Sequence, residues 1–241
     1  MEEKENLTWS QLFWYFLIFS ILGLLIETGF CYATVGVLES RKGLLWGPFC
    51  PVYGVSATIL IMCLNKYKEK NIFQLFLYGF LVGSIAEYIL SFGLEAIYGI
   101  RFWEYGYLNF NINGRICLEY SFYWGILSVL LMKIVKPILD LAINKINTKF
   151  KKGIEIAILI FLTIDCLVTI WGIQTYQNRV IYHIVNKEET NNIIIQLKQK
   201  IENDYFTNER IAKTFPNLRI KDENGNEIWI KTLIDNQKEL E

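Results

Sequence analysis

Long apolar stretches dominate residues 1–176 and alternate with short polar loops. A membrane-spanning helix needs about 20 mainly apolar residues. The stretches that approach this length, and that we predict as spans, are about 9–34, 47–64, 73–98, 116–139 and 154–176. We therefore expect residues 1–176 to form a polytopic domain, an all-α integral membrane helical bundle of about five transmembrane helices.

The remaining residues, 177–241, differ in pattern and are predicted to form a small soluble tail. Apolar side chains recur at helical spacing between Ile193 and Tyr205, which predicts one amphipathic helix. The polar segment 222–226 contains Asn-Gly and lies between Ile220 and Ile228, which predicts a small β-hairpin.

Lysine residues are concentrated in two of the short loops between the predicted spans. They follow span two and span four and comprise Lys66, Lys68, Lys70, Lys145, Lys149, Lys151 and Lys152. Because short cytoplasmic loops carry the excess of Lys and Arg, these loops and the N-terminus are predicted to be cytoplasmic. With five spans, the tail would lie on the outer side.

Composition supports a membrane protein and gives no general argument for a nucleic-acid partner. The chain is 53% hydrophobic, has a mean hydropathy of +0.27 and carries no net charge. Its many Lys, Asn and Ile residues suggest an AT-rich bacterial genome. The expected location is therefore the bacterial cytoplasmic membrane, with the lipid bilayer as the chain's surroundings.

Carboxylate side chains interrupt these apolar stretches. Each costs about 2.5–3.5 kcal/mol at the centre of a membrane helix, so a polar interior, a partner or protonation must offset the cost. Such residues indicate function by default, although a carboxylate that only hydrogen-bonds across helices remains an alternative. The candidate cavity acids are Glu27, Glu87, Glu95, Glu119 and Asp165.

Two parts of the membrane domain share a pattern. Gly23 precedes Glu27 by four residues, and Gly83 precedes Glu87 by four, so each pair lies on one helix face. A glycine there allows another helix to approach closely. A segment bounded by glycines follows each pair, Gly43–Gly54 and Gly114–Gly125. This pattern suggests a parallel repeat of two helical hairpins, although chance spacing would also explain it.

Two prolines, Pro48 and Pro51, flank Cys50 at the predicted start of span two. They would interrupt helical hydrogen bonding there and leave a broken entry that lines a cavity or re-enters the membrane. An ordinary span with proline in its first turn explains them equally well.

The loop before span four is rich in aromatic and polar residues. Arg101 follows Glu95 by six residues and could reach it, and Arg115 precedes Glu119 by four, which predicts a pair along one helical turn. With Asn113, these guanidinium groups could also bind an anionic head group or substrate. A charge-paired aromatic belt at the membrane interface is the alternative.

Several motifs are absent. The sequence contains no phosphate loop of the Gly-x-x-x-x-Gly-Lys-Ser/Thr type, no Gly-x-Ser-x-Gly and no His-Glu-x-x-His. It has one histidine, His183, and no Cys-x-x-Cys among its five cysteines. We therefore predict no cofactor, no metal site and no enzymatic activity.

The chain resembles the bacterial membrane proteins called the putative ABC-transporter type IV family. The resemblance rests on Gly23 with Glu27, the Gly-Pro-Phe-Cys-Pro string within Gly43–Gly54, the Trp103-Glu-Tyr loop and the Asn-Gly-Arg-Ile-Cys-Leu string that ends at Leu118. It covers roughly residues 10–140. It implies a multi-span permease component with a separate ATP-binding subunit, because this chain encodes none.

Three hypotheses follow. The first is a permease-like subunit of unknown substrate whose polar cavity is lined by Glu27, Glu87, Arg115 and Glu119. The second is a membrane enzyme acting on a lipid or polyprenyl carrier, with paired carboxylates as acid and base. The third is a non-catalytic sensor or scaffold that presents its tail to a partner. A homo-oligomer is left open.

Overall fold

The computed structural model describes residues 7–98, 101–146, 148–185, 204–221 and 227–229. Helices dominate these residues, and the strands are very short. The helices are α1 (Trp9–Val35), α2 (Pro51–Leu64), α3 (Ile72–Tyr98), α4 (Leu118–Leu130), α5 (Lys136–Asn144), α6 (Thr148–Val185) and α7 (Asn208–Thr214). A 3₁₀ turn (Asn65–Tyr67) follows α2, and a π turn (Leu131–Val135) joins α4 to α5.

Two antiparallel strand pairs complete the secondary structure. Strand β1 (Asn111–Ile112) pairs with β2 (Ile116–Cys117) just before α4. In the tail, β3 (Arg219–Lys221) pairs with β4 (Glu227–Trp229), with Ile220 opposite Ile228. The turn predicted at 222–226 lies outside the described residues, as does the amphipathic helix predicted at 193–205 apart from its last two residues.

Three of the helices are long and apolar enough to cross a membrane, over Trp9–Val35, Ile72–Tyr98 and Phe150–Tyr176. Large apolar side chains on their surfaces, such as Ile26 and Ile89, are exposed, as expected for a lipid-facing surface. These helices confirm the predicted class, an all-α membrane bundle. The count of five spans is not confirmed and stays a prediction.

The second and fourth predicted spans begin later than their hydropathy suggests. Helix α2 starts at Pro51, which occupies its first turn, so residues 47–50 lie outside the helix. Its 14 residues extend for about 21 Å, less than the roughly 30 Å hydrocarbon core. Helix α4 starts at Leu118 because residues 116–117 belong to the β1–β2 pair.

Two helical hairpins form the centre of the bundle. Helix α1 packs against α2, α3 packs against α4, and α2 contacts α3 and joins the hairpins. Buried side chains from both hairpins, the π turn and α5 meet near the lysine-rich loops in one cluster: Tyr15, Leu60, Ile61, Leu64, Leu75, Leu131, Met132 and Ile143.

The described tail packs at the opposite end of the bundle from the lysine-rich loops. Phe206 in the tail contacts Leu45 from the loop before α2 and Ile173 in α6. Trp46 donates an indole hydrogen bond to the Tyr205 hydroxyl at 3.0 Å. The tail and the loop that contains Leu45 and Trp46 therefore lie on the same side of the membrane domain.

Glycines set the close approach within each hairpin. A Cβ atom on Gly23 would collide with the Tyr53 side chain of α2, and a Cβ on Gly83 would collide with the Trp124 side chain of α4. The glycine that follows each of these aromatic residues packs in turn on the first helix of the same hairpin. Gly54 contacts Phe16, and Gly125 contacts Phe76.

These contacts are equivalent in the two hairpins. Phe16 and Gly23 are separated by seven residues, as are Phe76 and Gly83. In each hairpin the aromatic residue before the second glycine covers the first glycine. The same residue spacing therefore produces the same helix packing twice, which supports the parallel repeat suggested by the sequence.

The substitution Gly83→Leu should destabilise the protein, because its side chain would overlap Trp124 and overpacking costs about 1–3 kcal/mol. The matched control is Gly93→Leu in the same helix, where a Cβ meets no atom within 4 Å. Thermal unfolding in detergent should show a lower transition temperature for Gly83→Leu only. Equal transition temperatures would contradict the predicted helix contact.

Candidate functional site

Glu87 is the most deeply buried of the predicted cavity glutamates, with 7% of its surface exposed. Its carboxylate extends from α3 toward α4 and toward the loop after α3. One oxygen accepts a hydrogen bond from Trp124 Nε1 at 2.9 Å, and the other accepts one from the Tyr105 hydroxyl at 3.0 Å. Two neutral donors therefore satisfy this carboxylate.

Tyr105 lies in the loop after α3. Burial raises the pKa of its phenol well above the usual range, and the nearby Glu87 carboxylate raises this pKa further. The phenol therefore stays protonated and keeps its hydrogen for Glu87. Its ring stacks on Tyr120 of α4, with ring centres 4.5 Å apart.

Glu27 occupies the equivalent position in the first hairpin and is partly buried. The hydroxyl of Tyr53 lies close enough to Glu27 for a side-chain hydrogen bond. The indole of Trp124 has the corresponding place beside Glu87. Tyr53 also interacts electrostatically with Tyr105, and Tyr120 interacts with Glu27. The aromatic side chains of Tyr53, Tyr105 and Tyr120 therefore connect the two acids.

We call Glu27, Tyr53, Glu87, Tyr105, Tyr120 and Trp124 the carboxylate–aromatic cluster. Among the described residues, neither of its carboxylates forms a salt bridge. Arg41 acts electrostatically on Tyr53, but its guanidinium group contacts Cys31 Sγ at 2.6 Å and Glu39 at 3.7 Å. The cluster therefore contains two acids held mainly by neutral donors.

Glu95 has a different environment because two arginines bind it. Arg101 Nε lies 2.9 Å and Arg115 Nη2 lies 2.5 Å from the same carboxylate oxygen. Arg115 also donates to Ser91 Oγ at 3.1 Å. The reach of Arg101 to Glu95 that the sequence suggested is present in the structure.

Arg115 does not pair with Glu119, contrary to the prediction. Glu119 is exposed and accepts a hydrogen bond from Tyr123 at 3.3 Å, whereas Arg115 is buried against α3. This prediction was wrong because a spacing of four residues brings two side chains together only within one helix. Helix α4 begins only at Leu118, so Arg115 lies outside it.

The loop before α4 is fixed by hydrogen bonds around Asn113 and Gly114. Asn113 donates to the Tyr88 hydroxyl at 3.0 Å, and its carbonyl accepts from Arg101. The carbonyl of Gly114 accepts from the Tyr105 amide at 2.7 Å, and Gly114 has a φ of +65° that favours glycine. These bonds position Tyr105 beside Glu87.

Asp165, for which the sequence suggested no partner, binds the loop before α2. It is fully buried in α6, and its carboxylate accepts from the Trp46 backbone amide at 3.1 Å and from Thr169 Oγ1 at 3.3 Å. Thr169 in turn accepts from the Leu45 amide at 2.9 Å. Asp165 thus acts as an anchor for irregular backbone.

The segment that contains Pro48, Cys50 and Pro51 lies beside this anchor. The Cys50 amide donates to the Ser20 carbonyl of α1 at 2.9 Å, so protein atoms satisfy the backbone where the helix is absent. Pro51 fits the interpretation of a proline in the first helical turn. Residues 47–50 fit the interpretation of a broken entry covered by protein.

A further polar network near the lysine-rich end was not predicted. Lys136 is 4% exposed and lies 2.7 Å from Asp140, which also accepts a hydrogen bond from Tyr15. Nearby, Glu155 accepts from Ser10 at 2.5 Å and from Trp14 at 2.8 Å. The four-residue spacing of Lys136 and Asp140 within an apolar stretch was the available signal.

Among the described residues, no group of three or more His, Cys, Asp or Glu side chains is arranged so that it could hold a metal ion. All five cysteines are free.

Residues 14–170 match the model of the family described as "Putative ABC-transporter type IV". The chain belongs to this family. The match begins inside α1, includes the rest of both hairpins and ends within α6, which confirms the resemblance read from the motifs. Searches of curated proteins and of solved structures gave no match.

The substitution Arg115→Gln should destabilise this family member by about 1.5–3 kcal/mol, because Glu95 loses one of its two charge-assisted hydrogen bonds and keeps the one from Arg101. Glu95→Gln should cost less in the Arg115→Gln background than in the original chain, because one of the bonds that it weakens is already absent. Chemical unfolding in detergent measures both values. Strictly additive effects would contradict the pairing, and Glu119→Gln at the exposed position serves as the control, with a change within about 0.5 kcal/mol.

Proposed function

We propose that this chain is the permease-like, membrane-embedded subunit of an ABC-type transport system, with the carboxylate–aromatic cluster as its polar interior site. Its family gives the general role, a transporter-like membrane protein. The single observation that carries the finer proposal is a chain of aromatic contacts between the two acids. Tyr105 donates to Glu87 and stacks on Tyr120, which interacts electrostatically with Glu27.

The repeat supports transport because many transporters place their sites at the interface between repeats. In such proteins, one repeat moves relative to the other and the site is exposed alternately to each side. Here the hairpins meet through α2 and α3. Tyr120 of the second hairpin interacts electrostatically with Glu27 of the first. A movement between hairpins would therefore change the surroundings of Glu27.

The charge of the cluster favours a cationic or neutral polar solute over an anion. Two carboxylates and the π faces of several aromatic rings attract positive charge. Both predicted anion-binding arginines, Arg101 and Arg115, contact Glu95. This pairing reduces the support for an enzyme that grips a lipid phosphate, which we retain only as an alternative.

A separate ATP-binding subunit is part of the proposal, because the sequence contains no phosphate loop. The lysine-rich loops would face this subunit if they are cytoplasmic, and the tail would then lie outside. The location proposed is a bacterial cytoplasmic membrane. A scaffold that acts through its tail is the remaining alternative, and it would require the tail but not the acids.

The substitutions Glu27→Gln and Glu87→Gln should each lower transport at least about tenfold, because each removes a charge from the interior site. The measurement is complementation of a deletion strain, with metabolite profiling of cells and medium to find the solute whose distribution changes on deletion. Membrane abundance must be equal for all variants.

The matched control is Glu119→Gln, which removes the same charge from an exposed position of α4. It should transport normally. Normal transport by both interior variants would contradict the assigned site. Purification in mild detergent without an ATP-binding subunit would contradict the assignment to an ABC-type system, whereas loss of function on tail truncation alone would favour the scaffold.

A further inference from the structure

A groove opens at the lysine-rich end of the bundle, where the chain enters α3. It is lined by Lys70, Asn71, Ile72, Phe73 and Lys133, and its volume is about 730 Å³. Neither the carboxylate–aromatic cluster nor the Glu95 network contributes to it. Its walls are mainly apolar, and two lysine side chains contribute to them.

The π turn between α4 and α5 brings one of these lysines to the groove. Lys133 lies within that turn, and its Nζ donates to the Lys68 carbonyl in the preceding loop at 2.7 Å. An ammonium group has three N–H donors, so this bond leaves Lys133 with further donor capacity. The π turn thereby fixes a lysine of the second hairpin beside the start of α3.

Lys70 and Lys133 line the groove, and the loop before α3 adds to the positive charge at this end of the bundle. The loop before α3 contains Lys66, Lys68 and Lys70 against the single carboxylate of Glu69. The side chain of Asn71 caps α3 by accepting from the Gln74 amide at 2.9 Å. The partial positive charge of this helix N-terminus adds to that of the lysines.

The groove also has an apolar side that a soluble anion would not use. Ile72 is 66% exposed and Phe73 is 72% exposed, although both begin a helix long enough to cross a membrane. Their position at the end of that helix places them at the boundary between head groups and acyl chains. An occupant must therefore carry negative charge and hydrocarbon together.

We propose that this groove binds one anionic phospholipid. Lys70 and Lys133 bind its phosphate oxygens, and the first part of an acyl chain packs along Ile72 and Phe73. Lysine binds phosphate as a point charge without strict geometry, which suits a mobile head group. Charge complementarity favours an anionic lipid over a zwitterionic one. The exposed apolar wall favours a lipid over a free phosphate.

The test uses full-length protein in nanodiscs of phosphatidylcholine with a small fraction of phosphatidylglycerol, followed by native mass spectrometry of the lipids retained in gentle detergent. The double variant Lys70→Gln/Lys133→Gln should retain about tenfold less phosphatidylglycerol than the original chain. Retention of phosphatidylcholine should not change. Glycerol phosphate added in excess should not displace the lipid.

The control is Lys145→Gln/Lys152→Gln, which removes the same charge from the other lysine-rich loop. It should retain phosphatidylglycerol normally. Equal loss in both double variants would overturn the proposal in favour of general surface charge, and full retention in the groove variant would overturn it outright. Displacement by glycerol phosphate would assign the groove to a soluble phosphate instead. None of these outcomes depends on transport activity.

Discussion

The structure depends on one constraint, which is that a carboxylate inside an apolar helix must receive hydrogen bonds from the protein. The chain meets this constraint in two ways. Glu87 accepts from an indole and a phenol and forms no salt bridge within the described part of the chain. Glu95 instead binds two guanidinium groups, and the loop before α4 folds around that pairing. The first arrangement is suited to a binding site for a solute, and the second is suited to holding the loop before α4 in place.

The glycines make the first arrangement geometrically feasible. Gly83 lets Trp124 approach α3 closely enough for its indole to reach Glu87 one helical turn away. Gly23 and Tyr53 repeat the arrangement beside Glu27. The stacked pair of Tyr105 and Tyr120 links the two acids, because Tyr105 donates to Glu87 and Tyr120 interacts with Glu27. Because the chain belongs to the ABC-transporter type IV family, this polar interior fits a transporter-like membrane protein.

Sequence reasoning predicted interactions that depend on spacing within one continuous element. The bundle class and the glycine–carboxylate faces follow from helical periodicity. It failed where the chain leaves the helix, because Arg115 lies before α4 and therefore turns to Glu95 rather than Glu119. It could not find the partner of Asp165, because that partner is the backbone of a loop about 120 residues earlier in the chain. Tyr105 was missed for the same reason, since only the folded loop brings it to Glu87.

The hydrogen bond between Trp124 and Glu87 tests the central claim most directly. A double-mutant cycle with Trp124→Phe and Glu87→Met would measure its coupling by chemical unfolding in detergent. Phenylalanine keeps an aromatic ring over Gly83 but lacks the indole donor, and methionine keeps the length of the side chain but lacks the carboxylate acceptor. We expect a coupling energy of about 1 kcal/mol or more. Additive effects within about 0.3 kcal/mol would contradict the claim that this contact holds the interior carboxylate in place.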